Sequence, residues 1–172
     1  MRSANILRVS IFAIAAAFLI FNQNHSVSNG TTVLQFVTAG LAFGGLVLNK
    51  TETTTKRSLI IAPAAIAAFV LGLSFMFSSS GTEASNLAVF TGLVAILAGG
   101  TAIAEFVFSL RAVDGDKLEL RISSAIGLLT GLVFWLAPLD SLNAVGFLSA
   151  YLSVVAVQRA IWAAAPAKNK EQ

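Results

Sequence analysis

The chain has no cysteine, one histidine (His25) and three prolines among 172 residues. Without cysteine it can build no disulfide framework, thiolate nucleophile or zinc–thiolate site. A lone histidine leaves little for metal ligation or proton shuttling. Charge is scarce as well: Asp, Glu, Lys and Arg make up 11% of the residues, against about 25% in soluble domains. A chain this poor in charge cannot coat a surface that faces water. That excludes a soluble enzyme and, despite a net charge of +3, a nucleic-acid-binding domain. Disorder is excluded too, because disordered chains are poor in apolar residues and this one is 56% hydrophobic.

What is present is a succession of long apolar runs. Stretches free of charge cover 9–21, 31–49, 58–82, 84–104, 122–139 and 141–158. A bilayer core about 30 Å thick takes about 20 residues of helix to cross, so five of these runs suffice and the first is short. The runs are continuously apolar rather than alternating, which selects helices over barrel strands. Turn-forming residues separate them: Asn22-Gln23-Asn24-His25, Ser78-Ser79-Ser80-Gly81, Asp114-Gly115-Asp116, and Ala137-Pro138 with Asp140. Pro166 marks the end of the last helix, and Pro63 either sits in the first turns of the third span or kinks it. The expected fold is all-α, with six transmembrane helices in a single domain, 1–172, that ends in a short cytoplasmic tail, 166–172.

Orientation follows from the basic residues, which concentrate on the cytoplasmic side. Counting alternate connections gives Arg2 and Arg8; Lys50, Lys56 and Arg57; Arg111, Lys117 and Arg121; and Arg159, Lys168 and Lys170. These are all eleven Lys and Arg residues of the chain. Both termini are therefore expected in the cytoplasm, in a multi-pass protein of the inner (plasma) membrane. If 9–21 lay on the surface, or were a cleaved signal peptide, this partition would break; an uncleaved first helix keeps it.

The basic clusters precede the odd-numbered spans, so the chain reads as three helical hairpins, about 1–52, 53–112 and 113–172. Small residues recur four apart, including Gly40/Gly44 and Gly127/Gly131. Such stripes let helix backbones approach closely in lipid, either within one bundle or across a homo-oligomer seam. Glu105 and Arg159 are the ionisable residues clearly embedded within spans, each a turn or two from the cytoplasmic end. A charge at bilayer depth is costly unless paired, so a Glu105–Arg159 ion pair joining the second and third hairpins is the candidate site, with Arg8 and Arg111 as alternative partners. Its role is a structural clamp or, if water reaches Glu105, a proton relay.

Asp114-Gly115-Asp116 with Glu119 lacks the spacing of a calcium loop and reads as a solvated connector. His25 is expected as an exposed loop residue. No nucleophile has a base and an orienting group beside it, so no catalytic residue, cofactor site or metal site is expected. The partners implied are the lipid bilayer and either copies of the chain or a larger membrane complex.

The carboxyl two-thirds, about 58–165, resembles the HdeD-like family of small bacterial membrane proteins. The resemblance rests on Thr91-Gly92-Leu93-Val94-Ala95-Ile96-Leu97-Ala98-Gly99-Gly100, the Arg111 loop, Gly127-Leu128-Leu129-Thr130-Gly131-Leu132-Val133-Phe134-Trp135-Leu136-Ala137-Pro138, and Arg159. The first hairpin has Asn22-Gln23 in place of the family's Pro-containing turn. The resemblance implies six paired helices and a non-catalytic role connected with membrane or acid stress. A small-solute or proton transporter, or an accessory subunit of a larger complex, are the alternatives.

Overall fold

The computed structural model describes residues 2–22, 24–49, 54–77, 81–112 and 114–164. Gln23, Lys50, residues 78–80, Pro166, Lys168, Lys170 and the tail 166–172 lie outside the described residues, as do the side chains of Arg2, Lys56, Arg57, Asp114 and Asp116. Six helices follow one another: α1 (Arg2–Phe21), α2 (Val27–Asn49), α3 (Thr54–Phe77), α4 (Glu83–Ser109), α5 (Asp114–Leu136) and α6 (Ser141–Ala164). Among the described residues there is no strand. Five helices are long and apolar enough to span a membrane: Val27–Leu48, Ile60–Phe77, Glu83–Ser109, Lys117–Leu136 and Ser141–Ala164. The apolar stretch of α1, Ile6–Phe21, is shorter. The protein is a polytopic helical membrane protein.

Its surface is that of a lipid-facing bundle. Phe21, Phe43, Phe69, Met76, Trp135 and Leu136 are all exposed, an arrangement that water would penalise and hydrocarbon does not. The interior is built mostly from Ala, Val and Leu, with Phe90 the largest fully buried side chain, against which Phe134 packs edge-on at 6.4 Å.

Several helices extend beyond the runs that carry no charge. The largest extension is α5, which starts at Asp114 rather than after Arg121. The solvated connector expected at 114–119 is therefore the first turns of a helix. Freedom from charge measures what can face lipid, whereas helix length is set by backbone hydrogen bonding, which continues into the interface. Helix starts carry their own signals. Thr82 caps α4 by accepting from the Ser85 amide at 3.4 Å. Asp140 caps α6 by accepting from the Asn143 amide at 2.7 Å, which satisfies one of the orphan donors of a first turn. Pro63 lies well inside α3, beyond its first turns.

Packing is closest between α4 and α5, α1 and α6, and α2 and α3. The partners joined at the opposite end, α3 with α4 and α1 with α2, come next, and α5 and α6 touch only lightly. The four singled-out glycines all face a neighbouring helix of the same bundle. A Cβ on Gly40 would lie 2.9 Å from Ile11, and one on Gly44 would overlap Leu7, both on α1. On α5, a Cβ at Gly127 would meet the Ala98 carbonyl oxygen at 2.9 Å, and one at Gly131 would meet Gly99 at 3.1 Å. Gly127 and Gly131 permit backbone-to-backbone approach within one chain, and Gly40 and Gly44 make room for the side chains of Ile11 and Leu7. Gly72, by contrast, has nothing within 4 Å.

Candidate functional site

Four helices converge on a buried cluster of charge near the end of the bundle where α4 finishes and α5 begins. Each side chain arrives by the same geometry. Residues at i, i+4, i+7 and i+11 share one helical face. On α4, Ala98, Ala102, Glu105 and Ser109 are buried at that spacing, and on α6 so are Leu148, Leu152, Val155 and Arg159. On α1 the face carrying Phe12, Ala15 and Leu19 begins at Arg8. On α5, Glu119 and Ser123 continue the four-residue steps of Gly127 and Gly131. The apolar face that packs each helix thus also delivers its one charged residue to the same place.

Arg159 is the hub. It is 4% exposed, and its guanidinium donates to three acceptors on two helices. Nη2 donates to Glu105 Oε1 on α4 and to Ser123 Oγ on α5 at 2.7 Å. Nη1 donates to Glu119 Oε1 at 3.0 Å. The rigid fork of an arginine suits such multiple acceptance. Arg8 approaches the same Glu105 oxygen at 3.6 Å. Beside this set, Gln158 donates through Nε2 to the Glu119 backbone carbonyl at 3.4 Å. The light apposition of α5 and α6 therefore carries several polar links: Arg159 to Glu119, Arg159 to Ser123, and Gln158 to Glu119.

Two arginines and two glutamates balance in formal charge. Each charge alone would cost about +2.5–3.5 kcal/mol at the centre of a membrane helix. Together, with hydrogen bonds placed between them, they offset that cost. A cavity of about 30 Å³ adjoins the cluster, lined by Arg8, Glu105, Ser123, Arg159, Thr101 and Tyr151 among others. It has room for about one or two water molecules. On the cavity wall the Thr101 hydroxyl donates to the Leu97 carbonyl at 2.7 Å, and Tyr151 lines the same space. Arg159 Nε and Gln158 Oε1 have no hydrogen-bond partner among the described residues.

The structure brings Glu105 and Arg159 together and adds Arg8 to them. Arg111, the other alternative partner, is exposed in the turn after α4. Glu119 was placed in a solvated connector and is instead buried and paired with Arg159. The helical signal that would have found it is its spacing: Glu119, Ser123, Gly127 and Gly131 fall on one face, and the two glycines already marked that face as inward. His25 lies in the connection between α1 and α2 and is half-buried rather than exposed. Among the described residues no group of three or more His, Asp or Glu could hold a metal ion.

No family model matches the chain. No curated protein matches it, and neither does a solved structure.

Proposed function

We propose that the protein is a non-catalytic integral membrane protein of the HdeD-like type, acting in membrane or acid stress as a stable bundle locked by its buried charges. The observation that carries this reading is the closed and balanced set Arg8–Glu105–Arg159–Glu119. Every carboxylate in it is engaged by a guanidinium, and the cluster draws its members from α1, α4, α5 and α6. A relay or a catalytic centre needs an acid or base free to exchange its proton with a path to substrate or water. Here the adjoining space is small, and Phe12, Leu41, Leu97 and Val155 wall it. The serine in the cluster, Ser123, accepts from Arg159 rather than facing a base, and His25 is at the opposite end. Retention of all eleven Lys and Arg on one side, with both termini in the cytoplasm of a bacterial cell, fits the same reading.

Proteoliposomes provide the test. The protein and its Glu105→Gln variant are reconstituted, proton flux is followed with an enclosed pH dye, and unfolding is measured in detergent. A structural lock gives no flux above empty vesicles in either protein and a variant that unfolds more readily. Flux in the parent that Glu105→Gln abolishes, with stability unchanged, would replace this reading with proton transport.

A further inference from the structure

At the end of the bundle away from the charge cluster, α2, α3 and α4 part to form a cleft of about 530 Å³. This is within the range of small-molecule sites. One wall is a polar stripe on α2: Ser28, Thr31, Thr32 and Gln35 fall at i, i+3, i+4 and i+7 and all line the cleft. Gln35 is eight residues into the helix, about 12 Å from its start. Four polar side chains on one face of a membrane helix are costly against lipid; turned into a cleft they can meet water or a ligand. The opposite wall carries Glu83 and Asn86 of α4, and Ser74 with Phe75 and Phe77 of α3.

Several polar atoms of the cleft are set to accept. Thr32 spends its hydroxyl proton on the Ser28 carbonyl at 2.9 Å, and Ser74 spends its own on the Leu71 carbonyl at 2.7 Å. Asn86 gives one N–H to the Gly81 carbonyl at 3.3 Å and keeps its oxygen to accept. Glu83 takes only a hydrogen bond at 3.4 Å from Ser141 and has no ion pair among the described residues. Donors are present as well: the proton of Ser26, whose oxygen accepts from the Asn29 amide at 3.3 Å, and those of Ser28, Thr31 and Gln35. No Lys or Arg occurs in the connecting segments at this end, 22–30, 78–83 and 137–141, which contain Glu83 and Asp140. The side-chain charge at this end therefore favours cations, and Phe75 and Phe77 add apolar wall.

We propose that this cleft binds an organic ammonium group, carried by a free amine or by the headgroup of an ethanolamine phospholipid. The ammonium sits against the Glu83 carboxylate and donates to the oxygens of Thr32 and Asn86. A quaternary choline headgroup has the charge but no N–H to donate, so the site discriminates against it.

The test uses the full-length protein in dodecyl maltoside. Lipid binding is followed by native mass spectrometry with phosphatidylethanolamine, phosphatidylcholine and phosphatidylglycerol, and free-amine binding by calorimetry with putrescine. Saturable binding of phosphatidylethanolamine alone assigns the site to a lipid, and of putrescine alone to a soluble amine; either supports the proposal. In both cases Glu83→Gln weakens binding at least tenfold and Thr32→Val weakens it several-fold. Both positions are exposed, and far-UV circular dichroism checks that each variant keeps its helices. If neither ammonium compound binds saturably, if phosphatidylcholine or phosphatidylglycerol binds as well as phosphatidylethanolamine, or if both variants bind like the parent, the proposal is overturned.

Discussion

At one end of the bundle Arg8, Glu105, Glu119 and Arg159 are sealed among four helices and answer one another's charge. At the other end Glu83 stands at the mouth of a polar-walled cleft with no cation opposite it among the described residues. Both ends place carboxylates on the same helix, α4, yet the surroundings give them different work. Glu105 is buried, so its charge must be matched locally by the protein. Glu83 is exposed and tolerates solvent or a ligand as its counter-charge. Buried charge in this protein holds helices together; exposed charge of the same kind leaves a site open.

The contrast can be broken most forcefully at the hub. Arg159→Met leaves Glu105 and Glu119 buried with only Arg8 nearby, and removes two of the three polar links from α6 to α5, leaving Gln158 on the Glu119 carbonyl. The expected loss is about 3–5 kcal/mol of unfolding free energy, read from denaturant titration in detergent. Glu105→Gln should cost less, about 1.5–3 kcal/mol, because an amide oxygen can still accept from Arg159. That change leaves an excess of positive charge, and adding Arg8→Gln removes the excess while keeping the Arg159–Glu119 pair at 3.0 Å. The double variant Arg8→Gln/Glu105→Gln should therefore be no less stable than Glu105→Gln alone, by the same titration.

The packing stripes sharpen the comparison on a smaller scale. Gly127→Val inserts a branched side chain where even a Cβ meets the Ala98 carbonyl oxygen at 2.9 Å. Forcing α4 and α5 apart there should cost about 1–3 kcal/mol. Gly72→Ala, at a glycine with open space around it, should instead raise the unfolding midpoint slightly, since alanine is the better helix former. Smallest of all, Glu83→Gln should unfold at a midpoint indistinguishable from the parent's, because the carboxylate it removes is exposed and unpaired among the described residues. A large loss from Glu83→Gln would erase the distinction between the two ends.

Much of this was legible in the sequence because a membrane makes charge conspicuous. An isolated Glu105 and Arg159 within apolar runs, at matching distance from the same side, pointed to each other without any knowledge of helix packing. The glycines at 40, 44, 127 and 131 were legible for a related reason: in lipid, close approach needs small residues. Glu119 was hidden by its neighbours. It sits among Asp114, Asp116, Lys117 and Arg121, and charge density there resembles a loop unless the helical register of Ser123 and Gly127 is carried back through it. The α2 stripe was hidden by averaging, since Thr31, Thr32 and Gln35 are uncharged and fall inside the charge-free run 31–49. Which helices pack most closely was not legible at all. The hairpin reading pairs α5 with α6, whereas the close approach at Gly127 and Gly131 sets α5 against α4.

The most direct test of the buried lock is a double-mutant cycle on Glu105 and Arg159, using Glu105→Gln, Arg159→Met and the two combined, with unfolding free energy measured in one detergent. Coupled residues show interaction energies of about 0.5–3 kcal/mol, and the lock predicts that the double variant loses less than the sum of the single losses by an amount in that range. Losses that simply add would show that the two side chains are neighbours without holding each other, and would contradict the account.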